Sequence, residues 1–297
     1  MAGLTDLEGF AVGVWTDAEA RTGVTVVRCP PEGCLASASF LGPAPGTREA
    51  ALLAPEKPVD RVHALVFTGG SALGLASAGG VAERLAEEGI GHPTRVRPIP
   101  IVPAAVVYDL LVGRPVWPGA EAGYRAAAGA GTGPVPVGPV GAGAGATAGK
   151  YRTPVPTGQG SAAVEEAGVR VAALAVVNPV GDVYDLEGRL LAGHGEPRFQ
   201  RPSPLENTTL VAVGLESPLT KPQARLLADA GQAAIGRVVR PSHTPWDGDA
   251  VFVLSTGRGP AAPLGLLAAL VQEAVAAAII GAARAAGGPR PTRGPRS

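Results

Sequence analysis

Two stretches, "GVRVAALAVVN" (168–178) and "TTLVAVGL" (208–215), are apolar at almost every position rather than at alternate ones. A strand with one wet face alternates apolar and polar residues, so runs like these must be covered on both faces. That requirement points to a layered α/β fold. Further β-rich runs occur at "FAVGVW" (10–15), "GVTVVRC" (23–29), "HALVFTG" (63–69) and "AVFVLSTG" (250–257). Helical patterns separate them. "ALGLASAGGVAERLAEEG" (72–89) follows the 63–69 run. "TKPQARLLADAGQAAIGRVV" (220–239) opens with Thr220 and Gln223 in capping-box spacing, then repeats Leu226 or Leu227, Ala230, Ala234 and Val238 along one face.

A hydrophobic content of 46% with 17% charged residues supplies a sizeable core and excludes wholesale disorder. Basic and acidic residues balance at 25 each, and the one basic cluster is the terminal "RPTRGPRS" (290–297), so nucleic acid is excluded as a partner. The opening "MAGLTDLEGF" lacks a basic segment followed by an apolar one, which gives a cytoplasmic expectation. The longest apolar segment, 264–286, is interrupted by Gln272 and Glu273 and reads as a buried core helix rather than a membrane span. The Gly/Pro/Ala-rich stretch 129–163 resembles a linker. The last 90 residues carry too few elements for a core of their own, so 1–297 is expected to be one domain. Cys29 and Cys34 read as two reduced thiols, and His63, His92, His194 and His243 are scattered without metal spacing. No metal or cofactor is expected.

Several motifs have competing readings. "GAGAGATAGK" (Gly141 to Lys150) resembles a phosphate-binding loop, but Lys150 is followed by Tyr151 instead of Ser or Thr, and Pro134, Pro136 and Pro139 spoil the strand that should precede it. A Gly-rich loop making close backbone contacts is the simpler reading. "TGGSALG" (68–74) has the outline of a nucleophile elbow with Leu73 where Gly is needed, leaving Ser71 as a helix N-cap. Asp247 and Asp249 flank Gly248 in what local chemistry makes a solvated turn, and Asn178 ends a strand before Pro179. "LENTTLVAV" (205–213) puts one of only two Asn residues beside Thr208 at the head of an apolar strand. If the Asn207–Thr208 bond were cut, Thr208 would carry a hydroxyl and an α-amine on one residue. An amine titrating near pH ~8 can take the hydroxyl proton without help from a distant histidine.

Eight segments in the same order resemble the self-processing L-aminopeptidase/D-esterase family, which includes β-aminopeptidases. They are "WTDAEARTGVTVV" (15–27), "APGTREAALL" (44–53), "TGGSALGL" (68–75), "PIVPAAVVYDLLVG" (100–113), "GAGAGATAGK", "VAALAVVNPVGDV" (171–183), "NTTLVAV" (207–213) and "PWDGDAVFVLSTG" (245–257). The resemblance implies an α/β fold of the four-layer αββα sandwich type and a homo-oligomer. It implies self-cleavage between Asn207 and Thr208 into 1–207 and 208–297, with Thr208 as nucleophile in both that step and substrate hydrolysis. It implies that Asn178 donates to the oxyanion, that Tyr108 helps hold the tetrahedral intermediate, and that Asp247 and Asp249 stand beside the nucleophile and take the substrate's amino group. Gly79 and Ala144 depart from residues common in the family and are expected in loops that shape specificity.

The expected activity is hydrolysis that releases N-terminal residues from small peptides, amides or esters. An acyltransferase using the same Thr acyl-enzyme is one alternative. A nucleotide-binding protein using Gly141 to Lys150 is another, and an uncut, inert scaffold is a third.

Overall fold

In a computed structural model, which describes residues 2–195 and 206–287, the chain forms two stacked sheets with helices on both outer faces. The first sheet orders β1 (Ala11–Asp17), β2 (Thr22–Arg28), β6 (Ala64–Thr68), β7 (Ala104–Val106) and β4 (Thr47–Arg48). The second orders β10 (Gln159–Glu166), β11 (Val169–Asn178), β14 (Thr208–Leu215), β16 (Ala250–Ser255), β3 (Cys34–Phe40) and β5 (Arg61–Val62). Shorter ladders join β8 (Thr147–Ala148) to β9 (Val155–Pro156), and β12 (Asp182–Tyr184) to β13 (Leu190–Ala192) and β15 (Val239–Arg240). Leu205 and the basic terminal cluster 290–297 lie outside the described residues.

The all-apolar runs are explained by two cores, one on each face of the second sheet. Leu174 and Val176 of β11, Leu210 and Ala212 of β14 and Phe252 of β16 face the first sheet, against Val27, Leu65 and Phe67. Their neighbours Ala173, Ala175, Val211, Val213 and Val251 face α4 (Lys221–Val238) and α5 (Leu264–Ala285). A third core packs Val24, Val26 and Val66 under α2 (Ser77–Glu87) and α3 (Ala120–Ala128). The result is the four-layer αββα sandwich. Alternation along β14 and β11 then directs Thr208 and Asn178 inward between the sheets, in phase with Leu210 and Val176.

Thr220 and Gln223 form the expected capping box at the start of α4. Helix α5 is long and apolar enough to cross a membrane, but it packs along β10, β11 and α4. Its close approach to β10 depends on Gly160, where a Cβ would sit 2.1 Å from the Ala278 carbonyl oxygen. The stretch that resembles a linker includes the start of β10, and the second sheet draws strands from both sides of it. Cys29 and Cys34 are free and buried.

Two local expectations are corrected. Ser71 is the first residue of α1 (Ser71–Gly74) at φ 54°, and Gly70 holds the cap position without a side-chain bond. Gly79 lies within α2 on the outer layer instead of in a loop. Ala144 does fall in the expected loop, as the C-cap of a 3-10 turn at 141–143, and is buried there.

Candidate active site

Thr208 opens β14 directly opposite Asn178, the last residue of β11. On its other side the chain at Asn207 bridges in parallel to Asp247. Residues 42–44 run alongside, with Gly42 N donating to Asp249 O and Ala44 N to Asp247 O. Asn207 and Thr208 are 2% and 6% exposed, so the bond between them is sealed inside the sandwich. Its carbonyl oxygen receives two bonds, from the Gly248 main-chain N–H at 2.8 Å and from Thr208 Oγ1 at 2.5 Å. The Thr208 hydroxyl therefore lies against the Asn207 carbonyl, and a fixed main-chain donor sits on the same oxygen, an arrangement that would stabilise negative charge there. Only Gly fits position 248, since a Cβ there would meet Ala44 O at 2.5 Å and Thr208 Oγ1 at 2.9 Å.

Asn178 is fully buried, and its carboxamide is turned toward the loop that follows the 3-10 turn. Its Oδ1 accepts from Thr147 N at 3.0 Å and from Lys150 Nζ at 2.8 Å. Its Nδ2 donates to Tyr108 O at 3.2 Å and to Glu206 O at 3.4 Å. The expected oxyanion donor thus serves the Glu206 carbonyl, and Gly248 N–H serves the Asn207 one. Tyr108 contributes its carbonyl to this contact. Burial, reinforced by the Glu206 and Asp109 carboxylates, holds its phenol above the ordinary value.

Asp247 and Asp249 are completely buried, which corrects the solvated-turn reading. Asp247 accepts from Val180 N through Oδ1, and from Thr244 N and Oγ1 through Oδ2, at 3.2, 2.9 and 2.5 Å. Asp249 accepts from Thr209 N at 2.7 Å through Oδ1 and from His243 N at 3.0 Å through Oδ2. Every carboxylate oxygen already holds an internal donor. Burial and then the Asp249 charge push Asp247 up to about 6. His243 is also brought here, with Nδ1 2.9 Å from Asp249 Oδ2. Burial opposes its charge, yet the Asp249 carboxylate outweighs burial and holds it above the ordinary histidine value.

Lys150 is the site residue that sequence reasoning assigned elsewhere. Its Nζ donates to Asn178 O at 3.0 Å, to Asn178 Oδ1 at 2.8 Å and to Glu206 O at 3.1 Å. Burial lowers it to about 7 against the pull of Asp247, Glu206, Asp109 and Asp249. The Gly-rich loop before it is not a phosphate cradle, because its amides are bonded internally. Gly141 N donates to Thr16 Oγ1, Ala142 N to Thr25 Oγ1, Thr147 N to Asn178 and Gly149 N to Gly181 O. The nucleotide-binding alternative is accordingly set aside. Among the described residues no three His, Cys, Asp or Glu side chains are grouped to hold a metal ion.

Comparison with known proteins assigns the chain to a family. The profile of peptidase family S58 matches residues 2–289. The chain belongs to peptidase family S58. It is 39% identical over 318 aligned positions to an uncharacterized aminopeptidase of Mycobacterium tuberculosis, covering 96% of this chain and 90% of that one. It is 30% identical over 273 positions to a 6-aminohexanoate-oligomer endohydrolase of Paenarthrobacter ureafaciens, covering 84% and 74%. Among solved structures, a Burkholderia sp. beta-aminopeptidase superposes with a TM-score of 0.72 at 24% identity, covering 94% of this chain and 85% of that one. An L-aminopeptidase D-Ala-esterase/amidase from Ochrobactrum anthropi, described as a variant of the Ntn hydrolase fold, gives 0.71 at 18%, covering 96% and 86%. The S58 chain is thus a hydrolase of the aminopeptidase and amidohydrolase type, on an Ntn-hydrolase-like α/β fold.

Proposed function

We propose that this S58 hydrolase cuts its own Asn207–Thr208 bond and then uses Thr208 as an N-terminal nucleophile on small peptides, amino-acid amides or esters. The observation that carries the reading is the pair of bonds on the Asn207 oxygen, from Thr208 Oγ1 and from Gly248 N–H. In the uncut chain Thr208 has no free amine. Lys150, with a value of about 7, is the group we assign as base. Its Nζ lies against Asn178 and the Glu206 carbonyl, two residues before Thr208. In its neutral form it keeps two N–H bonds and a lone pair with which to take the hydroxyl proton once Thr208 Oγ1 turns from the Asn207 oxygen. Oγ1 then attacks the Asn207 carbon, the C–N bond breaks, and the amine of Thr208 leaves with the proton. Water hydrolyses the resulting ester.

After the cut, the α-amine of Thr208 takes over as base, as in other nucleophiles that carry their own amine. Asp247 and Asp249 act through the backbone. They fix the turn that presents Gly248 N–H and the strand position of Thr209, and their charge keeps a cation at Lys150 tolerable. Cytoplasmic location and a homo-oligomer belong to the same proposal.

Thr208→Ala tests it. That variant is expected to stay full length and to hydrolyse no aminoacyl nitroanilide. Full activity in it would remove Thr208 as the nucleophile. Acetyl transfer from N-acetylornithine to glutamate by the unaltered protein, without amide hydrolysis, would favour the acyltransferase.

A further inference from the structure

We infer that His243 works as a fixed imidazolium, the counter-cation of the buried Asp247 and Asp249 pair. Through Asp249 it is a positioning residue for the strand end that presents Thr208. This rests on the proposed Thr208 chemistry and adds the charge state under which that chemistry runs.

The ring stands between two acceptors. Nδ1 lies 2.9 Å from Asp249 Oδ2, and Nε2 lies 3.2 Å from the main-chain oxygen of Gln232 on α4. A carboxylate and a carbonyl offer lone pairs only, so each ring nitrogen can bond its partner only by carrying a proton. A neutral ring has one N–H and would press a bare nitrogen against an oxygen. The imidazolium satisfies both sides. The His243 main-chain N–H also donates to Asp249 Oδ2, at 3.0 Å. The chain brings ring and N–H to one oxygen by holding His243 at φ 52°, a region that residues with side chains seldom enter. Gln232 closes the arrangement from α4, its Nε2 donating to Ser39 O at 2.8 Å and to Asp249 O at 3.3 Å.

The charges lead to the same state. Asp247 and Asp249 are completely buried, with one glycine between them. Lys150 acts on both, but its Nζ bonds Asn178 and Glu206 rather than either carboxylate, and the form assigned as base is neutral. In that working form the pair needs a cation from elsewhere, and His243 is in contact with it. The charges acting on the ring are Asp249 and Asp247, while α4 turns only the Gln232 carbonyl toward it. The ring is 21% exposed, so water shares its charge on one edge.

The link to the nucleophile is one residue long. The other oxygen of Asp249, Oδ1, accepts from Thr209 N at 2.7 Å and fixes the strand immediately after Thr208. Withdrawing a cation from this cluster makes every nearby proton harder to remove. His243→Gln should therefore move the low-pH limb of self-cleavage upward from about 7, and that of hydrolysis upward too, by roughly one pH unit. A loss of packing alone would lower the rates and leave the limbs in place. His243→Lys keeps a cation there and should hold both limbs near their native positions.

The test joins these profiles to nitrogen NMR of histidine-labelled protein at about pH 7, on the self-cut chain and on uncut Thr208→Ala. Protons on both His243 ring nitrogens are expected, where a histidine at its ordinary value of 6.5 is mostly neutral. A ring with one bare nitrogen overturns the inference, and this readout needs no variant at position 243. A His243→Gln limb that stays at the native pH, or a His243→Lys limb displaced as far as that of His243→Gln, also overturns it. Each of these results leaves Thr208 as the nucleophile. Hydrolysis retained by Thr208→Ala removes the nucleophile whatever the state of the ring.

Discussion

The main-chain N–H of Gly248 donates at 2.8 Å to the carbonyl oxygen of Asn207, the same oxygen that Thr208 Oγ1 approaches from the next residue. A backbone donor costs no side-chain reorganisation as charge develops. Replacing Gly248 by Ala puts a methyl group 2.5 Å from Ala44 O and 2.9 Å from Thr208 Oγ1, so the donor and the nucleophile must part. Gly248→Ala should slow self-cleavage by roughly 10²–10³ while the protein stays folded. Fragment appearance on denaturing gels measures the rate, and circular dichroism controls for folding.

Lys150→Met removes the proposed base for the first cut. Self-cleavage should slow by about 10² or more, and a free amine added in solution should restore part of it. In the unaltered chain only the neutral lysine serves. The cleavage rate should therefore rise about tenfold per pH unit up to about pH 7 and flatten above it. A rate that falls as pH rises through this value would contradict the assignment.

The same two groups set a pH signature in stability, measured on the uncut Thr208→Ala protein. Lys150 has a folded value of about 7, below its unfolded 10.5, so unfolding takes up a proton between the two. Its contribution falls as pH drops from about 10.5 to about 7 and then levels. Asp247 is raised from 3.8 to about 6, so its contribution is complete below 3.8 and is lost as pH rises through about 6. Together they predict a trough between about 6 and about 7, read from denaturant midpoints. Lys150→Met should remove its high-pH side and Asp247→Asn its low-pH side.

A buried cation away from the site gives a contrast. Lys221 Nζ at the start of α4 donates to Leu52 O, Lys57 O and Val59 O at 2.8, 2.9 and 2.8 Å. Lys221→Met leaves three carbonyls without that donor and should cost about 2–4 kcal/mol in chemical denaturation. Self-cleavage at permissive temperature should be unchanged. Loss of cleavage in a folded Lys221→Met protein would mean that the 52–59 loop is coupled to the site.

What the sequence conveyed follows from how local each signal is. Val-rich β11 and β14 are visible because both faces are buried by bulky residues, and the α4 cap is visible because its two partners are three residues apart. Strand β3, "CLASASF", is harder to see. Ala36 and Ala38 face the inner core, while Ser37 and Ser39 bond Leu53 O and Asp229, so small residues stand where β-branched ones signal a strand. Strand β10 is hidden for a related reason, because α5 requires Gly160 there. At the site, the roles of Thr208, Asn178, Asp247 and Asp249 are legible through the family resemblance of the segments that hold them. Local chemistry alone makes Asn178 a strand-end amide and the two Asp residues a solvated turn. Lys150 was associated with phosphate because its motif is Gly-rich, and only its contacts with Asn178 and Glu206 reveal its position. Gly248 acts through a main-chain N–H, which no side-chain pattern records. His243 reaches Asp249 through a turn that spacing alone does not predict.

The central claim is a broken bond, and intact-mass spectrometry of the purified protein tests it most directly. The account predicts two species, residues 1–207 and 208–297, whose masses sum to that of the full chain plus one water, with Thr208 at the new N-terminus. A single full-length species after prolonged incubation at neutral pH, or a junction anywhere other than Asn207–Thr208, would contradict it.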